Sequence, residues 1–224
     1  MQITQSSFCP RLAQVFFFVV AASASSVAIS ANLDFDKTFT TRDEPQQVHY
    51  AVEYTLNGQT HHSETWRDRD RRILRRTDDR LETHVAKEAR EVEWHMVVLD
   101  LTRKIRTDID RTNLLRIGQF TDWFSLSHGL TRPSGAYTLK VADVGQSSVR
   151  PVAACRWYDL KRGDSESRIC WSSRLHLPIV ITDRDGQPQW QVTSVDTRTL
   201  PPSVFAMHDD GFVRINASQD INAD

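Results

Sequence analysis

The chain has 224 residues, with 28 Lys and Arg against 29 Asp and Glu and a formal net charge of −1. That balance excludes the basic excess of a nucleic-acid-binding domain, and 39% hydrophobic with 25% charged residues is globular rather than disordered composition. The length fits one large domain or two small ones, and a single long apolar run excludes a polytopic membrane protein.

That run covers residues 12–22, with Arg11 before it and the small residues 21–26 after it. A positive flank, an apolar stretch of about 7–15 residues and a small-residue exit describe a secretory signal peptide. A membrane span needs about 20 apolar residues, so a retained signal anchor is the weaker alternative. Residues 1–31 are therefore read as a signal peptide, cleaved after Ala24 or Ala31, and the product as an exported, periplasmic protein. Cys9 leaves with the peptide. Cys155 and Cys170 remain, an even pair in an oxidising compartment.

Residues 32–45 read as a loosely ordered lead-in. Val48, Tyr50, Val52, Tyr54 and Leu56 then alternate with more polar residues, the period of a strand with one buried face. Asn57–Gly58 is a strong hairpin turn signal, and residues 59–66 return as a more polar strand suited to an edge or a wet face. Residues 72–76, 80–85, 92–101 and 105–109 continue as strands. The predicted helix starts at Thr112 or Asn113, buries Leu114, Ile117, Phe120 and Phe124, widened by Leu115, Trp123 and Leu126, and stops at Gly129. Residues 137–141, the cysteine segment, 177–182 and 190–195 are strands again.

Between the cysteines, aromatic and branched ends flank turn chemistry, so the segment reads as a β-hairpin. A turn at Arg162–Gly163 places Cys155 directly opposite Cys170, about 5.5 Å or less between Cα atoms and within disulfide reach. Closing that loop is worth about 3 kcal/mol. A redox-active pair is disfavoured, because the spacing is not Cys-x-x-Cys. Hairpin spacing leaves no room for crossover helices. The reading is a single α+β domain over 32–218, a mostly antiparallel sheet packed on one main amphipathic helix, with a tail at 219–224.

The order of elements in the last third resembles the LolA/LolB-like fold of periplasmic lipoprotein carriers. The residues that carry the likeness are Cys155-Arg156-Trp157-Tyr158, the Trp171 strand, Leu177-Pro178-Ile179, the Asp185-Gly186 turn, Val192 with Val195, and Leu200-Pro201-Pro202-Ser203-Val204-Phe205. The resemblance implies an open half-barrel with helices plugging its concave face, and a cavity that hides an acyl chain at about 0.8 kcal/mol per buried methylene. The lining proposed for such a ligand is Tyr50, Val52, Tyr54, Trp94, Met96, Phe120, Trp123 and Phe124; the alternative is that these side chains form ordinary core.

No Walker loop, dinucleotide glycine pattern or nucleophile elbow occurs, so no catalytic residue is expected. The eight histidines raise a metal reading, copper or haem, through His61, His62 and Met96 or Met207. Adjacent strand residues face opposite ways, which argues against His61 and His62 sharing an ion, and no metal or cofactor is expected. Arg69, Arg71, Arg72, Arg75 and Arg76, interleaved with aspartates, read as an ion-paired sheet edge or as a row that engages a partner's anionic groups. Arg162-Gly163-Asp164-Ser165 also matches an integrin-type tripeptide, which a hairpin turn explains without adhesion. The function expected first is a non-enzymatic periplasmic carrier for a lipid or apolar ligand. The alternatives are an envelope protein-interaction or sensing module without ligand, and a metal-handling protein.

Overall fold

The computed structural model describes residues 32–87, 94–109, 122–142 and 149–216. The signal peptide, the tail from 219 and the first part of the predicted helix, including Thr112, Asn113, Leu114, Leu115, Ile117 and Phe120, lie outside the described residues.

Twelve strands form one sheet: β1 (Gln47–Leu56), β2 (Gln59–Asp68), β3 (Arg72–Thr77), β4 (Leu81–Lys87), β5 (Trp94–Asp100), β6 (Ile105–Ile109), β7 (Thr138–Val141), β8 (Arg156–Arg162), β9 (Ser165–Ser172), β10 (Leu177–Asp183), β11 (Pro188–Asp196) and β12 (Val213–Asn216). Their order is β12-β6-β5-β4-β3-β2-β1-β11-β10-β9-β8-β7, so the sheet is open and β12 and β7 are its ends. Every pairing is antiparallel except β12 with β6, which is parallel. The sequence pattern misses β12, which has no buried residue to mark a face.

The β1–β2 hairpin forms as its turn requires, with Asn57 at φ 52° and Gly58 at φ 76°. Its second strand is not an edge: β2 lies between β1 and β3. The β8–β9 turn is Gly163–Asp164, not Arg162–Gly163, because Arg162 pairs with Ser165 and Gly163 supplies the positive φ of 57°. Cys170 therefore faces Trp157, and Cys155 stands just before β8. The disulfide still closes, with Cα atoms 5.3 Å apart. Cys155 is released from the ladder and bends toward its diagonal neighbour.

Alternation gives the sheet two faces. Val48, Tyr50 and Val52 share the inner face with Ser63, Thr65 and Arg67 across the β1–β2 register. The lead-in is ordered, contrary to expectation. Helix α1 (Phe35–Thr38), capped by Asp34, drives Phe35 and Phe39 against Trp171 and Phe124 on this face. The signal for it is Asp34 followed by aromatic residues four apart. The main amphipathic helix is also corrected. Among the described residues no helix reaches seven residues, and α2 (Trp123–His128) has six, capped by Asp122. Asp122 accepts from the Ser125 backbone and hydroxyl, and so starts the helix there. Gly129 ends it as expected, at φ 67° and so close to Trp190 that a Cβ would lie 2.5 Å from the ring. Leu126 packs against Ile73, Val85, Trp94 and Met96.

The outer face has its own coverings. Residues 149–155 pack by way of Val149, Ala153 and Cys155 onto the cluster that holds Trp157, Cys170 and Val180. At the far side residues 197–212 cross from β11 to β12. The Leu200 backbone donates to Gln47, Phe205 sits under the Arg72 guanidinium at 4.3 Å, and Asp209 accepts from Arg106. The β7 end is closed at Leu139, whose N–H donates to the Asn32 side chain and whose carbonyl accepts from Leu33. No helix among the described residues is long and apolar enough to cross a membrane.

Candidate functional site

The most charged part of the interior lies where α2 meets the sheet. Arg67 reaches the inner face because two-residue alternation on β2 continues Ser63 and Thr65, and it is fully buried. Glu44, in the loop before β1, places Oε2 2.9 Å from Nε2 of His128 and 3.4 Å from Nη2 of Arg67. Nδ1 of His128 lies 2.6 Å from the Ser127 hydroxyl and 3.0 Å from the Phe124 carbonyl. Arg67 donates to the Ser127 carbonyl at 3.2 Å, and Arg75 to the Leu126 carbonyl at 2.7 Å. The last carbonyls of a helix have no partner of their own. Two sheet arginines supply one each, and this fixes α2 in place.

Burial pushes the Glu44 carboxyl up, but the His128 hydrogen bond and the Arg67 charge outweigh it and hold the group below its usual range. Burial, helped by the Arg67 charge, lowers the His128 imidazole against the pull of Glu44. Burial lowers Arg67 as well, opposed by Glu44. The consistent arrangement is a Glu44 carboxylate, an Arg67 cation and a neutral His128 that donates from Nε2 to Glu44. Its Nδ1 then accepts from Ser127.

Serine, histidine and carboxylate in hydrogen-bonded order have the form of a hydrolytic relay. Here Ser127 is 0% and His128 1% exposed, so solvent does not reach the hydroxyl. The cluster works as a clamp on α2 and the 39–46 loop. Sequence reasoning assigned no site role to Glu44, Arg67, Ser127 or His128, and placed Arg75 in the arginine row. The available signal was Arg67 itself, a charge at an inner-face position of a strand.

The side chains expected to line a ligand cavity are divided among three packed clusters. Tyr50 and Val52 join Leu177, Ile179 and Val192, while Trp94 and Met96, with Trp123 beside them, pack on Leu126. Phe124 lies between Phe35 and the His128 ring, which it stacks at 4.6 Å. Tyr54 is half-buried and stacks on His61 at 5.3 Å. Among the described residues Tyr50, Val52, Trp94, Met96 and Phe124 are core, and Tyr54 and Trp123 pack at its margin. A hollow of about 620 Å³ lies elsewhere, lined by Val141, Ala142, Val152, Ala153 and Trp157 among others.

The arginine row is not at an edge, because β2 and β3 are interior strands. Arg71 and Arg72 bind Asp68, Arg76 binds Glu82 at 2.6 Å, and Arg75 faces inward to α2. Arg69 turns the chain at φ 46°. Among the described residues no three His, Cys, Asp or Glu side chains are grouped to hold a metal. His61 binds Asp78, and His62, on the other face, reaches Glu53. Met96 is core.

No family model matches the chain, and no curated protein matches it. Among solved structures, a crystal structure of MucB is similar at a TM-score of 0.40 and 15% identity, over 77% of this chain and 61% of that one. MucB in complex with MucA(peri) is similar at 0.37 and 14%, over 72% and 54%. The chain thus spans about six-tenths of the MucB structure. The likeness is coarse, and no residue role is carried across it.

Proposed function

We propose that this chain is an exported, non-enzymatic binding protein of the cell envelope, and that its partner is a protein rather than a lipid. The observation that carries the reading is the closed inner face. The Ser127–His128–Glu44 relay is sealed from solvent, and the side chains expected to line a lipid cavity pack against α1, α2 and one another. Among the described residues the hydroxyl is out of a substrate's reach and the side chains expected to hold an acyl chain are packed, which favours the outer face and the sheet ends for recognition. The Cys155–Cys170 disulfide fits an oxidising compartment, as does the signal-peptide pattern of residues 1–31.

One observation favours the lipid reading: the 620 Å³ hollow under Val141 and Val152, which are 42% and 47% exposed, has the volume of a small-molecule site. Native mass spectrometry of the mature protein purified from the exporting cell, followed by organic extraction, separates the two. The expected result is the mass of the mature chain alone with its disulfide intact. A stoichiometric lipid in the extract overturns the protein-partner reading and moves attention to that hollow.

A further inference from the structure

The outer face is crossed by a segment that behaves as a ligand of its own chain. Residues 197–212 contain one short 3₁₀ turn, Pro202–Phe205, and are half-buried or exposed along their length. Three fixtures hold them. Phe205 packs against β3 under Arg72. Four residues on, Asp209 accepts from Arg106 at 2.6 Å, a bond for which Arg106 also uses Asp108 as a second anchor. Four residues further, β12 adds to β6 as a short parallel strand, and its first residue, Val213, is 64% exposed. Between the Phe205 contact on β3 and the Asp209 pair on β6, Leu74 and Leu99 sit at outer-face positions of β3 and β5 and are 4% and 0% exposed. The underlying surface is therefore apolar at its centre, cationic at Arg106, and bounded by a strand edge.

We propose that this surface, Leu74 and Leu99 with Arg106 and the β6 edge, is a docking site for an extended segment of a partner protein, and that residues 204–216 occupy it in the resting chain. The inference rests on the protein-partner reading above and gives it a location. The resting occupant defines the partner's chemistry: an aromatic residue, a carboxylate four residues later to meet Arg106, and a short β-forming stretch after that. Strand addition to an exposed edge supplies affinity through backbone hydrogen bonds, while the aromatic and the acid supply register. A four-residue strand and a partly exposed ion pair form a weak hold, so a longer segment of the same pattern displaces it.

A synthetic, dye-labelled peptide of residues 202–216 tests this by fluorescence anisotropy against the mature full chain. In Asp209→Lys the resident segment is repelled by Arg106, and the peptide should bind at least tenfold more tightly than to the unaltered chain. A peptide carrying Asp209→Lys should not bind that variant, and should bind a chain carrying Arg106→Glu. If Asp209→Lys loses its native circular dichroism, Asp209→Asn takes its place with the same readout. Equal affinity for the altered and unaltered chains, or no binding to either, overturns the proposal. Neither result depends on the lipid extraction, so this site and the protein-partner reading fail separately.

Discussion

The two faces of one sheet hold their coverings by opposite means. On the inner face, α1, α2 and the 39–46 loop bring aromatic rings and a buried charge cluster, in which Glu44 bonds to His128 and pairs with Arg67, whose Nη1 donates to the Ser127 carbonyl while Nε and Nη2 make no hydrogen bond. On the outer face, residues 197–212 rest on contacts that solvent still reaches, the Asp209 pair with Arg106, 16% and 19% exposed, and Arg72 over Phe205. Burial makes a charge expensive unless it is matched, so the inner arrangement has one low-energy state. Solvent screens the outer pairs and makes them replaceable. One face specifies the fold, while the other has interactions weak enough to be exchanged.

The largest test of this contrast is to break one charge on each side. Arg67→Ala leaves Glu44 buried without its cation and removes the donor to the Ser127 carbonyl, and should cost about 3–5 kcal/mol in urea unfolding. Arg76→Ala removes an outer pair whose arginine is 41% exposed and whose Glu82 keeps His84 as a partner, and should cost less than Arg67→Ala. The double variant Arg67→Met with Glu44→Gln should cost less than Arg67→Ala alone, since no unmatched charge remains. Equal losses for Arg67→Ala and Arg76→Ala would erase the distinction between the faces.

The disulfide sharpens the comparison, because it gives the outer face one covering that cannot exchange. Cys170 is fully buried there beside Trp157, and Cys155 ties residues 149–155 down to it. Cys155→Ser should lower stability by about 2–5 kcal/mol, and hydrogen exchange should rise in residues 149–155 before it rises in β2. Free thiols in the protein purified without reductant would refute the pairing.

What the sequence made legible follows the same division. A strand with one apolar face announced itself through alternation, as β1 did, and glycine and asparagine placed the β1–β2 turn. The disulfide was legible although the hairpin register was off, because a cysteine outside the ladder bends to its partner. The start of α2 at Trp123 was not, since the sequence reading ran one helix through Asp122 and did not take it as a cap. The clamp was invisible for a different reason. Arg67, Glu44 and His128 come from three elements far apart in sequence, and only the register of β2 and the fold of the 39–46 loop bring them together. The outer crossing and β12 were hidden because their residues are half-buried or exposed and leave no apolar face to read.

The smaller effect is the pH dependence of the clamp, and its sign is fixed by two groups. His128 titrates below its ordinary 6.5 in the fold, so the unfolded chain takes up protons first as pH falls past that value, and the folded state loses stability. Glu44 titrates below its ordinary 4.5, so its contribution is complete above that pH and is lost as the pH falls through the folded value. The charged and titratable neighbours of the ring are Glu44 and Arg67, with His176 acting on Glu44; His84, lowered by burial beside Glu82, adds a contribution of the same sign on the outer face. Stability measured from pH 7 to pH 4 should therefore decline, with the first part of the slope reduced in His128→Asn and reduced further in His128→Asn with His84→Asn. The part below pH 4.5 should persist in both. A protonated His128 can donate from Nδ1 to the Phe124 carbonyl while keeping Glu44, so the clamp should loosen gradually rather than open at one pH. A slope unchanged by His128→Asn would mean that the ring is not the group whose burial ties the inner face to pH, and the contrast between the faces would then rest on Arg67 and Glu44 alone.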